Sequence, residues 1–97
     1  MESIITKPTE YCDICGKRKA TDTHHAIEGS NRMASDRHGL TLHICRECHT
    51  ELHHSAVSES LSQMIGQLAF EKHEIEEGRD ANSARNYFRN AFGRSYI

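Results

Sequence analysis

Four cysteines and eight histidines in 97 residues are the side chains of this sequence best suited to chemistry. The cysteines fall as two Cys-x2-Cys pairs, Cys12/Cys15 and Cys45/Cys48. A Cys-x2-Cys turn presents two thiolates to one ion, and two such turns complete the tetrahedral shell that Zn²⁺ prefers, with ligands at about 2.0–2.3 Å. This pattern suits zinc far better than a secreted disulfide framework. Four thiolates leave no position for water or substrate, so the implied Zn²⁺ is structural and ties the N-terminal segment to the region around Cys45.

The histidines form a second set. His49 and His53 lie four residues apart, so on a helix both project from one face, while His54 points about 100° away. His24 and His25 are adjacent, and neighbours on a strand face opposite sides, so only one of the two can join His49 and His53 at a metal. The other is left free as a proton acceptor. Three neutral imidazoles with an open coordination position make a catalytic site that can hold a divalent ion against a phosphate oxygen.

The elements that must position these groups can be read from periodicity. Cys12-Asp-Ile-Cys15-Gly16-Lys17 reads as a knuckle turn in which Gly16 takes a positive φ. Thr21 to Ile27 reads as a short strand, the segment from Gly29 to Gly39 as a loop, and Leu40 to Ile44 as the second strand of a hairpin. A helix is expected to start within Cys45 to Cys48 and to run to about His54. A further helix is expected from about Ser58 to Glu77, carrying the apolar stripe Val57, Leu61, Met64, Ile65 and Leu68, and a last one from Ala81 to Phe92 closed by Gly93. No repeat or linker divides the chain, which reads as a single domain, with residues 12–55 as the metal-stapled core and 56–97 as a helical extension.

At 36% hydrophobic residues with no Trp, the core must be small and needs a metal's help. The formal charge of −2 is not the balance of a strongly basic nucleic-acid binder. The distribution matters more: Arg85, Arg89 and Arg94 stand in the last thirteen residues, which carry no acidic side chain. Neither a signal peptide nor a membrane-spanning apolar run is visible, so a reducing, cytoplasmic setting without a membrane partner is expected.

The run HHAIEGSNR, followed by a hairpin and CRECHTELH, resembles the HNH, or ββα-metal (His-Me finger), endonucleases. The match covers roughly residues 12–55. The HH…H-x3-H spacing is similar to the nuclease domain of DNase colicins, and the CxxC…CxxCH frame to small zinc-bearing phage and restriction-type HNH enzymes. The resemblance implies an α+β fold: a ββα-metal finger with a four-cysteine zinc knuckle, followed by C-terminal helices. It also implies roles. His24, His49 and His53 would hold the catalytic divalent metal (Mg²⁺, Mn²⁺, Ni²⁺ or Zn²⁺), and His25 would be the general base that activates water for hydrolysis of a DNA phosphodiester, leaving 5′-phosphate and 3′-hydroxyl ends. The family's central Asn usually opens the second strand; here Gly39-Leu40 stands in that place. Asn31 is the expected catalytic substitute, with Asp36 and His38 as the other candidates.

DNA, double-stranded or branched, is the implied partner, with Arg32 and Arg37 near the site and Arg85 and Arg89 on the last helix as phosphate contacts. The chain would act as a monomer or homodimer in a bacterial or phage-infected cell. The competing reading is a non-catalytic zinc-ribbon module that binds nucleic acid or protein.

Overall fold

The computed structural model describes residues 2–7 and 9–97. These described residues form a small α+β fold with one two-stranded antiparallel sheet and four α-helices. Strand β1 (Asp22–His25) leads through a 3₁₀ turn (Gly29–Asn31) into α1 (Arg32–Arg37) and then β2 (Thr41–Ile44). Helices α2 (Arg46–His54), α3 (Ala56–Glu76) and α4 (Ala81–Phe92) follow. The sheet register pairs Asp22 with Ile44, Thr23 with His43, His24 with Leu42 and His25 with Thr41.

Each element has a local cause. The knuckle closes when Gly16 donates to Cys12 O at 2.9 Å and Cys12 to Arg18 O at 2.8 Å, with Gly16 at a φ of 66° that costs a glycine little. It is fastened to β2 because Asp13 N donates to His43 O and His43 N donates to Asp13 Oδ2. Helices α2, α3 and α4 begin at side-chain caps, where Cys45, Ser55 and Asp80 accept the backbone N–H of Cys48, Ser58 and Ser83.

The segment expected as a loop from Gly29 to Gly39 contains α1. Six residues are too few to display a helical period, yet Arg32, Met33 and Ala34 are good helix formers. Ser35 fixes the turn from within, because its buried hydroxyl donates to Ile27 O at 2.7 Å and accepts Ile27 N at 3.2 Å.

The core is small, as the composition requires. Ala26, Ile27 and Leu40 from the hairpin pack with Phe70 of α3 and Phe88 and Phe92 of α4. Phe88 and Phe92 stack at 4.5 Å, and the edge of Phe70 meets Phe88 at 5.3 Å. A smaller cluster joins Ile44 to Cys12 and Cys45. The apolar stripe of α3 turns outward: Val57, Leu61, Met64, Ile65 and Leu68 are all exposed. The helix instead buries Ser62, Gly66, Gln67, Phe70 and Glu71. This polar inner face is satisfied, since Gln67 donates to Glu71 Oε2 at 2.7 Å and to Ser95 Oγ at 3.0 Å and accepts Tyr96 N at 2.6 Å. No helix among the described residues is long and apolar enough to cross a membrane.

Candidate metal centres

The knuckle and the start of α2 bring Cys12, Cys15, Cys45 and Cys48 together, with all four sulfurs within 4.8 Å of one another. Tetrahedral thiolates around zinc stand about 3.8 Å apart when each bond is about 2.3 Å, so the cluster has the size and donor set of a structural zinc site. None of the four cysteines is in a disulfide. Their surroundings act on the thiols in opposite directions. Backbone N–H groups of Lys17 and Arg18 bring the Cys15 thiol down to about 6, while burial and the adjoining sulfurs push Cys48 up to about 12. Four thiolates cannot gather without a positive charge among them. Arg18 supplies part of that charge, with Nη1 at 3.9 Å from Cys15 Sγ and 4.0 Å from Cys45 Sγ.

The second constellation joins β1 to α2. His24, Glu28, His49 and His53 each place a donor atom within 4.8 Å of the others. One helical turn separates His49 from His53, and their rings lie 4.8 Å apart, with the His24 ring 5.4 and 5.6 Å from them. His24 is buried, His49 and Glu28 are half-buried and His53 is exposed, so the cluster opens to solvent on the His53 side. Burial holds the His24 imidazole down to about 4, hence neutral near pH 7, as a ligand must be. Its Nδ1 is buried with no hydrogen-bond partner among the described residues, 3.6 Å from Glu28 Oε1. A buried orphan nitrogen facing a carboxylate and two imidazoles fits a divalent ion.

The surrounding contacts orient these donors. His49 Nδ1 donates to Asp22 Oδ2 at 2.9 Å, which leaves Nε2 for coordination. Asp22 also accepts Arg46 Nε at 2.8 Å, and these two partners, His49 first, bring its carboxyl down to about 2. Asp22 and His24 share a strand face by alternation, so this pairing was available to sequence reasoning, which missed it. Glu28 carried no such signal, because it follows the strand without a period.

His25 projects to the other side of β1, into a groove lined by Thr23, Arg32, Met33, Asp36 and Arg37. Its Nε2 lies 3.4 Å from Asp36 Oδ1. A second, shallow groove formed by Asp22, Thr23, Arg46, His49, Thr50 and His53 adjoins it, with Thr23 common to both. Of the three candidates for the displaced Asn, Asp36 is the one beside His25. Asn31 instead donates to Phe92 O at 3.0 Å and to the Tyr96 hydroxyl at 3.3 Å, anchoring the loop to the C-terminal segment. His38 packs on Phe70, Tyr87 and Phe92. Arg89 is exposed, whereas Arg85 Nε is held by both Glu71 oxygens at 3.0 Å.

Comparison with protein-family models, with curated proteins and with solved structures gave no match to this chain.

Proposed function

We propose that this chain is a metal-dependent endonuclease of the HNH type that hydrolyses phosphodiester bonds in DNA. One observation carries the reading: a His24/Glu28/His49/His53 cluster on one face of β1, with His25 beside Asp36 on the other face of the same strand. A divalent ion held by that cluster, when bound, supplies a Lewis acid that stabilises negative charge on the phosphate and the leaving oxygen. His25 supplies the base. With Nε2 facing Asp36, Nδ1 is the nitrogen that takes a proton from the attacking water, and the carboxylate stabilises the imidazolium so formed. Arg32 and Arg37 line the same groove and offer the positive charge that seats a phosphodiester backbone across Thr23. The four-cysteine cluster ties the knuckle to the junction of β2 and α2, the helix that carries His49 and His53.

Incubation of supercoiled plasmid with the protein and Mg²⁺, Mn²⁺ or Ni²⁺ tests the proposal. Nicked or linear product that disappears on chelation is the expected result. A zinc-ribbon binding module would shift the plasmid's mobility without cutting it, and that outcome would overturn the reading.

A further inference from the structure

We propose that Ser62 of α3 is a positioning residue that sets the tautomer of His24 and so makes α3 part of the metal centre; this rests on the reading that His24, Glu28, His49 and His53 hold a divalent ion. The argument is one of proton counting. Ser62 is buried, and its hydroxyl has a single proton, which goes to Ala26 O at 2.9 Å. The same oxygen lies 3.0 Å from His24 Nε2. With the hydroxyl proton already placed, that contact must run from Nε2–H to Ser62 Oγ. The neutral ring has one N–H, so Nδ1 carries none and presents a lone pair. This is the nitrogen that is buried, without a partner among the described residues, and 3.6 Å from Glu28 Oε1. A ligating histidine whose second nitrogen donates to a fixed acceptor is oriented and held in one tautomer, and loss of such a partner typically weakens metal binding about 10–100-fold.

The helix is shaped for this contact. Gly66 lies one turn beyond Ser62, and a Cβ there would stand 2.9 Å from Ala26 Cβ. The missing side chain lets α3 approach the end of β1 closely enough for the Ser62 hydroxyl to reach both Ala26 O and His24.

The test uses the full chain carrying its structural zinc. Zn²⁺ is titrated calorimetrically into wild type, Ser62→Ala and Ser62→Thr, and the His24 ring nitrogens are assigned by long-range ¹H–¹⁵N correlation before the second ion is added. Wild type is expected to bind a second zinc and to show an unprotonated Nδ1. Ser62→Ala should bind the second zinc about 10–100-fold more weakly with a mixed tautomer, and Ser62→Thr, which keeps the hydroxyl, should stay closer to wild type. Equal affinity in Ser62→Ala, or weaker binding with an unchanged tautomer, would overturn the role of Ser62 alone. A wild type that binds no second zinc would overturn the metal site itself.

Discussion

Asp22 Oδ2 accepts a hydrogen bond from His49 Nδ1 at 2.9 Å, so a carboxylate on β1 fixes which nitrogen of an α2 histidine is left for the His24/Glu28/His53 cluster. The same oxygen accepts Arg46 Nε at 2.8 Å, which holds the carboxylate in place. Asp22→Asn should therefore weaken the second metal site about 10–100-fold while leaving the cysteine site filled. Measured as plasmid nicking against Mn²⁺ concentration, the variant should need more Mn²⁺ and recover at saturation. A rate that stays low at saturating Mn²⁺ would place the role of Asp22 elsewhere.

The cysteine site predicts a different failure. Cys12 and Cys45 are nearly inaccessible within the Ile44 cluster, so removing a ligand from this site removes both the cross-link and its packing. Cys45→Ser should lose one equivalent of zinc and, with it, the cooperative unfolding transition of residues 10–55, since metal-binding energy in such small sites is folding energy. Zinc content by atomic absorption, paired with amide-exchange protection of β2, reads this directly. Retained protection without zinc would contradict a structural role.

Gly66→Ala sets two effects against each other. Alanine gains about 1 kcal/mol of helix propensity, but its Cβ would stand 2.9 Å from Ala26 Cβ, and such overpacking commonly costs about 1–3 kcal/mol. Because the contact is with the first side-chain atom of a buried residue, it has no flexible end to yield, and a net loss in urea denaturation is expected. A stability gain would mean that α3 has room to move outward.

His38 gives a pH dependence. Burial against Phe70 and Phe92, followed by repulsion from Arg37, holds its pKa below the ordinary value of 6.5. The unfolded chain therefore binds more protons between the folded pKa and 6.5, and stability rises with pH across that window. The contribution is complete above 6.5 and is lost as pH falls through the folded value. Replacing His38 with Gln should flatten this part of the urea-midpoint profile between pH 7 and 5, despite the lost ring packing; an unchanged slope would remove His38 as a contributor.

Much of this was legible in the sequence because two short periods dominate it. Thiolate spacing brought out the cysteine cluster, and the i, i+4 relation of His49 and His53 placed both on one face of α2. The helix from Ala81 to Phe92 followed from its apolar spacing. What escaped notice depended on long-range approach. The α3 stripe showed where a helix lies but not what it faces: periodicity finds an apolar face, while docking is decided by whether another element can come close, as Gly66 allows. Glu28 and Ser62 reach their partners through a turn and a neighbouring helix, and which of the three candidates for the displaced Asn stands beside His25 depended on α1, a helix too short to show a period. Asn31 drew attention by residue type, yet its amide is satisfied by the C-terminal segment.

The nicking rate of His25→Ala relative to wild type, both carrying full metal at saturating Mn²⁺, tests the central claim most directly. The His25 side chain lies in the groove with Asp36, on the opposite face of β1 from the proposed ligands, so the variant should keep its fold and both metals while cleavage falls about 10²–10⁴-fold, the usual contribution of a general base. Cleavage at the wild-type rate would contradict the account.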